Sequence, residues 1–351
     1  METKQIRVAD PKMATEEELK EAARILREGG LVAFPTETVY GLGANALDEK
    51  AAKKIYAAKG RPSDNPLIAH ISSQEELKPL AAEIPDMAKK LMDLYWPGPM
   101  TLVFKKTDAV PYGTTGGLDT VAVRMPSDPV AKTLIRLAGV PIAAPSANRS
   151  GRPSPTTADH VWQDMEGKID MIIDGGPVGI GLESTIIDVT GPVATILRPG
   201  AITIEMVRAA LGEAEMDPAI LGPMKEGEHP KAPGMKYRHY APKAPLTLVE
   251  GDMEQVVKTI SQLAEESLKQ GKKTGIICTD ETRSCYHAGM IQSIGTRAKE
   301  ETVAHNLYAV LRKFDDLGAD VIYSESFSDN QIGQAIMNRL TKAAGYRIIK
   351  V

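Results

Sequence analysis

Lys59-Gly60-Arg61 sets two cations around a glycine, and Pro62 and Pro66 bracket the residues that follow, Ser63-Asp-Asn65. Two prolines so close stiffen the approach of Arg61 and Asn65, which a solvated helix end does not require. A planar arginine fork beside a mobile lysine charge suits a chain of phosphates. The competing reading is a helix stop whose cations face the negative end of the helix dipole. A second polar group closes the apolar run 140–144: Pro145-Ser146-Ala147-Asn148, continuing through a polar loop to Ser154. Small hydroxyls, an amide and backbone N–H groups can hold phosphate or a base edge there, although the same residue types also make ordinary turns.

Other candidates follow the same pattern of polar residues at strand ends. Thr36 and Thr38 lie in Pro35-Thr-Glu-Thr-Val-Tyr-Gly-Leu-Gly43, just after an apolar run. Open α/β sheets bind ligands at such ends. Arg124 ends Val121-Ala-Val and reads either as a receptor for a substrate carboxylate or as an exposed strand terminus. His70, within Leu67-Ile-Ala-His-Ile71, is either a hydrogen-bonded core histidine or a ligand contact. The glycine-rich stretch 175–185 and Arg198-Pro-Gly200 complete the set. Gly41-x-Gly43-x-x-Ala46 formally matches a dinucleotide fingerprint, but Pro35 and two threonines separate it from the strand. Its glycines are expected instead to let the backbone turn beside a ligand. The sequence contains no Walker motif, cysteine nucleophile, G-x-S-x-G elbow, H-E-x-x-H or adjacent pair of catalytic carboxylates. Chemistry by positioning and charge neutralisation, as in nucleotidyl transfer, fits what remains.

The elements that must position these residues alternate between helix and strand. Thr15 with Glu18 predicts a capping box ahead of the stripe Leu19, Ala22, Ala23, Leu26, and Ser73 with Glu76 predicts another. Strands are expected at 31–34, 67–71, 100–104, 120–124, 140–144 and 169–173, with a pair at 184–189 and 194–197. Helices are expected at 49–58, 86–95, 129–137 and 204–211. Proline and glycine then crowd residues 212–245, which reads as a linker. Within it, Lys236-Tyr-Arg-His-Tyr240 is either a solvated charged stretch or part of a loop that folds over a site. From 246 the alternation resumes and predicts a small, mostly parallel α/β domain. The expected domains are 1–211, 212–245 and 246–351.

Composition narrows the classes. A chain of 351 residues exceeds one ordinary core. With 42% hydrophobic and 25% charged residues it falls in the soluble globular range. A net charge of −4 argues against a protein that coats nucleic acid. Two cysteines, Cys278 and Cys285, exclude a disulfide framework or zinc ribbon and suit a reducing compartment. No signal peptide or membrane span is expected, which predicts a cytoplasmic protein without stable nucleic-acid binding.

In order along the chain, residues 35–43, Lys59-Gly-Arg-Pro with Asn65-Pro-Leu, Ser146-Ala-Asn148, Ser184-Thr185 and Arg198-Pro-Gly200 resemble the threonylcarbamoyl-AMP synthase family. Residues 233–242 and the C-terminal domain resemble its long, two-domain branch. The resemblance implies a YrdC-like α/β domain with a basic cavity, a twisted mixed sheet with flanking helices, and a small Rossmann-like domain. It implies that ATP, L-threonine and bicarbonate are joined into threonylcarbamoyl-AMP with release of pyrophosphate. The product would pass to threonylcarbamoyl transferase proteins that modify tRNA. By the same resemblance Lys59 and Arg61 are catalytic, neutralising the phosphates with a Mg²⁺ ion carried by ATP, and no metal site belongs to the protein. ATP would contact Lys59, Arg61, Asn65, Thr120, Ser146, Asn148, Ser154, Arg198 and Tyr237, with His239 and Tyr240 as rivals to Tyr237. Threonine would contact Thr38, His70, Arg124, the Ala144 backbone and Ser184. Two other readings fit less well. A hydrogenase maturation factor with a YrdC-like module needs more cysteines than two, and an RNA-binding module needs more basic and aromatic surface than this composition offers.

Overall fold

The computed structural model describes residues 2–220, 222, 230–233 and 239–351. They form two units: Met1–Ser150 with Ser154–Tyr237, and Gly151–Pro153 with Arg238–Val351.

Eleven strands among the described residues build the sheet of the first unit. They are β1 (Lys4–Arg7), β2 (Val32–Phe34), β3 (Gly41–Asn45), β4 (Ile68–His70), β5 (Met100–Lys105), β6 (Thr120–Arg124), β7 (Ile142–Ala143), β8 (Met171–Asp174), β9 (Thr185–Asp188), β10 (Thr195–Arg198) and β11 (Glu215–Met216). Their spatial order is β1-β8-β2-β3-β7-β4-β6-β5-β9-β10-β11. The sheet is mixed. For example, β4 runs parallel to β6 but antiparallel to β7.

Helices cover both faces. Helix α1 (Glu16–Arg27) starts at the capping box, with Thr15 and Glu18 satisfying each other's backbone N–H groups. It buries Leu19, Ala22, Ala23 and Leu26 in one core with Phe34 and Ile173 of the sheet. Leu134 and Ile135 of another helix, Pro129–Ala138, join that core. Leu19 is wholly buried, and its replacement by alanine would cost about 2–5 kcal/mol. The opposite face holds a larger core, to which helix α2 (Glu49–Lys59) gives Ala51, Ala52 and Ile55. Gly60, left-handed at φ 61°, ends α2 and frees the chain to turn at Arg61.

Two expectations are corrected. Ser73 makes no side-chain cap; Ser72 bonds Glu76 instead, and only a short 3₁₀ turn, Gln74–Leu77, forms. Gly41 and Gly43 are not a ligand-side turn but part of β3, paired antiparallel with β2. Gly43 is there for space, because a Cβ would come within 2.8 Å of both Ile142 and Phe34.

Among its described residues the second unit carries five parallel strands: β12 (Leu246–Glu250), β13 (Thr274–Cys278), β14 (Met290–Ser293), β15 (Val321–Glu325) and β16 (Ile348–Lys350). Their order is β14-β13-β15-β12-β16, a small Rossmann-like layer. At the carboxyl ends of β13 and β15 the buried Glu325 accepts protons from Thr282 at 2.5 Å and Tyr286 at 2.9 Å. It also pairs with Arg297 at 2.8 Å, so the unit's own groups fill this crevice. Among the described residues no helix is long and apolar enough to cross a membrane.

Candidate active site

Strand register brings the first cluster together. His70 pairs with Arg124 across β4 and β6, and Arg124 pairs with Thr101 across β6 and β5. Three polar side chains therefore share one level of the sheet, and all three are buried.

Arg124 is held by the loop and strand ends around it. Its Nη1 donates to Thr38 Oγ1 at 2.9 Å and its Nε to the Gly98 carbonyl at 3.3 Å. Nη2 lies 2.8 Å from Glu37 Oε1. Burial alone would push the Glu37 carboxyl up, but the Arg124 charge and hydrogen bonds outweigh it and hold the group below its ordinary value. Close by, burial pushes Asp128 up to about 6, with the Glu37 charge adding to the rise. The guanidinium thus sits in a low-dielectric pocket, where a carboxylate ligand would be held strongly.

His70 is uncharged at neutral pH. Burial, reinforced by Arg124, lowers its pKa to about 3. Its Nδ1 lies 3.0 Å from the Ile68 carbonyl oxygen and 3.3 Å from that of Ile142. Carbonyl oxygens only accept, so Nδ1 carries the proton and Nε2 is an acceptor. Ser184 completes the cluster through a 2.7 Å bond with Thr101 and accepts from Arg198 Nη2 at 3.2 Å. Arg198 Nε also donates to the Ser184 carbonyl at 3.0 Å. The N–H of Ala144 is bonded to the Ile68 carbonyl at 2.9 Å, so any ligand contact it makes is through its own carbonyl.

A second cluster surrounds the end of α2. The Lys59 Nζ donates to the Ser146 carbonyl and, at 2.5 Å, to that of Asn148. Ser150 N returns a bond to the Lys59 carbonyl at 2.9 Å. Lys59 is 4% exposed, so besides carrying charge it ties the 146–148 turn to the helix. Ser146 Oγ donates to Asn148 Oδ1 at 2.5 Å. Arg61 folds its Nη2 onto the Pro66 carbonyl at 3.0 Å, bridging the turn that the prolines stiffen. Asn65 is buried, and its Oδ1 has no hydrogen-bond partner among the described residues. Such an orphaned acceptor is costly unless a ligand supplies a proton.

Ser154, also buried, donates to Glu183 at 2.5 Å, one residue from Ser184. Thr120 opens β6, whereas Arg124 ends it. Thr120 pairs with Lys105 of β5, at the other end of the ladder from the Thr101–Arg124 pair. Tyr237 lies outside the described residues. Tyr240 is stacked on Tyr308 within the second unit, with ring centroids 5.4 Å apart. Sequence reasoning missed Glu37, Thr101 and Glu183. The buried Thr101 did leave a signal, as a polar residue inside the apolar strand Met100–Phe104.

This is a mixed α/β domain with one buried polar cluster around Arg124 and another around Lys59 and Arg61, without the strand–glycine turn–helix start of a dinucleotide-binding dehydrogenase. Comparison with known proteins makes this particular. Residues 24–200 match the family model described as telomere recombination, and residues 202–345 match that of the threonylcarbamoyl-AMP synthase C-terminal domain. The chain is 53% identical to the threonylcarbamoyl-AMP synthase of Pyrococcus abyssi, over 94% of this chain and 95% of that protein. It is 49% identical to that of Bacillus subtilis over the full length of both. The solved structure of the Pyrococcus abyssi protein Sua5 complexed with L-threonine superposes with a TM-score of 0.93, at 50% identity and full coverage of both chains. The chain belongs to the threonylcarbamoyl-AMP synthase family, in its two-domain form.

Proposed function

We propose that this enzyme joins L-threonine, bicarbonate or CO₂, and ATP into L-threonylcarbamoyl-AMP and pyrophosphate. The observation that carries this reading is Arg124, buried and held level with an uncharged His70. The guanidinium takes the threonine carboxylate. His70 Nε2, as an acceptor, takes a proton-bearing group of the same amino acid, with Thr38 and Ser184 alongside. The threonine nitrogen attacks the carbon of CO₂ and loses a proton, giving a carbamate. A carbamate oxygen then attacks the α-phosphorus, and the bond to pyrophosphate breaks. Lys59 and Arg61 neutralise charge that grows on the phosphates, where pre-set cations stabilise best.

Among the described residues no group of three or more His, Cys, Asp or Glu could hold a metal ion. In this reading Mg²⁺ enters as a companion of the triphosphate and would supply charge neutralisation there. The linker at 212–245 is assigned the part of a cover over the nucleotide, with Tyr237 as its contact. Tyr240 is less suited, since its ring is already packed on Tyr308. The product is a reactive mixed anhydride, so a transferase acting on tRNA is the fitting consumer. Pyrophosphate release from ATP, with threonine and bicarbonate omitted in turn, tests the reaction. Release that ignores threonine would refute it.

A further inference from the structure

Glu183 has no part in the reaction described so far, yet it is buried and takes the proton of Ser154 at 2.5 Å. A serine hydroxyl has one proton to give and two lone pairs to offer. With that proton committed to a carboxylate, Ser154 faces any further partner only as an acceptor. We infer that Glu183 is a positioning residue that turns Ser154 into an acceptor for an O–H or N–H of the nucleoside, so that this serine reads ribose or base and not phosphate. The inference rests on the reading that Ser154 lines the ATP site.

The contrast with Ser146 supports it. Ser146 also gives its proton away at 2.5 Å, but to the neutral amide oxygen of Asn148. A phosphate oxygen is a charged acceptor and forms bonds roughly twice as strong, so it can take that proton from Asn148. It cannot gain the same advantage over the Glu183 carboxylate, and like charge would also repel it from that position. The two serines, alike in sequence context, are thereby assigned to opposite ends of the nucleotide. The pair is also firmly placed. Glu183 precedes Ser184, which Arg198 holds by both its carbonyl and its hydroxyl. The carbonyl after Ser154, that of Pro155, accepts from Tyr40 N at 2.9 Å.

The candidate donors are the ribose 2′- and 3′-hydroxyls and the adenine amine. The test is the KM of the full-length enzyme for ATP, 2′-dATP, 3′-dATP and purine riboside triphosphate, which remove these donors one at a time. One analogue should raise KM about three- to thirtyfold, as expected when a buried acceptor loses its partner. In Glu183→Ala that penalty should narrow at least threefold, because the freed serine proton no longer enforces polarity. Glu183→Gln, whose amide oxygen can still accept, should restore it. If the wild-type enzyme uses all three analogues as well as ATP, the inference fails, and this arm needs no variant to fold. A penalty as large in Ser154→Ala as in wild type overturns it too. An unchanged KM for ATP itself in Ser154→Ala would instead show that Ser154 does not line the nucleotide site.

Discussion

Glu37 holds its carboxylate 2.8 Å from the Arg124 guanidinium, and both side chains are largely buried, at 14% and 5% exposure. The arginine thus has a counter-charge within the protein itself, to which a substrate carboxylate would add a second negative charge. Removing one partner of such a pair strands the other, at a cost of about 3–5 kcal/mol. Arg124→Ala should therefore lower both the melting temperature and threonine-dependent turnover. Adding Glu37→Gln should recover part of the melting temperature but none of the turnover. Thermal melts and pyrophosphate assays on the two variants separate these effects. Recovery of activity in the double variant would contradict the role given to Arg124.

His70 predicts an acid limb in stability. Its folded pKa, about 3, lies below the ordinary 6.5, so between those values the unfolded chain binds more protons than the folded one. Its contribution is complete above pH 6.5 and declines as pH falls below that, by up to about 1.4 kcal/mol per unit. His70→Gln should flatten that limb in urea titrations from pH 7 to 4. Because His70 stays neutral, activity between pH 6 and 9 should show no ionisation assignable to it.

Asp128 predicts the opposite sign. Its folded pKa, about 6, lies above the ordinary 3.8. Stability from its neutral form is full below pH 3.8 and lost as pH rises through 6. The side chain caps its helix by accepting from Ala131 N at 3.0 Å, and asparagine can do the same. Asp128→Asn should be more stable than wild type at pH 8, by about 1 kcal/mol or more, and the gain should shrink by pH 4. A loss of stability at pH 8 would mean the carboxylate is needed.

Lys59 and Arg61 should fail in different ways. Both variants to alanine should lose turnover by about a hundredfold, as when a charged contact to the transition state is removed. Lys59→Ala also cuts the ties to the Ser146 and Asn148 carbonyls, so it should lower the melting temperature. Arg61 is only partly buried, and its replacement should leave the melting temperature within a few degrees of wild type. Equal melting temperatures for the two variants would dismiss the tether.

The fold and the two polar clusters were partly legible from sequence because polar residues end the apolar runs. Arg124 closes Val121-Ala-Val, and Ser146 follows the run ending at Ala144, so strand ends and polar turns could be read together. The Thr15–Glu18 cap was readable because its partners are local. What stayed hidden depends on distant neighbours. Glu37 acquires its meaning only from Arg124, and Glu183 only from Ser154. Strand β3 was read as a turn because its two glycines signal freedom, whereas packing against Phe34 and Ile142 decided the outcome. Lys59 was read as a phosphate contact or as a cation at a helix end, not as a tether, since no local pattern reveals carbonyls nearly ninety residues away.

Gly200 offers a test of how tightly the site depends on backbone approach. A Cβ there would lie 2.6 Å from Thr185 N and 2.8 Å from the Glu183 carbonyl oxygen, both backbone atoms that cannot swing aside. Gly200→Ala must therefore push residues 183–185 away from the Arg198 turn, and with them Glu183 and Ser184. Overpacking of this kind costs about 1–3 kcal/mol. Turnover should fall further than stability accounts for, since Arg198 reaches Ser184 by bonds of 3.0 and 3.2 Å that tolerate little displacement. Gly191→Ala is the control. Its Cβ would meet only the Val193 carbonyl oxygen at 3.9 Å, and it should melt and turn over as wild type does. If Gly200→Ala matches that control in both measurements, the close approach is not what positions Glu183 and Ser184 against Arg198.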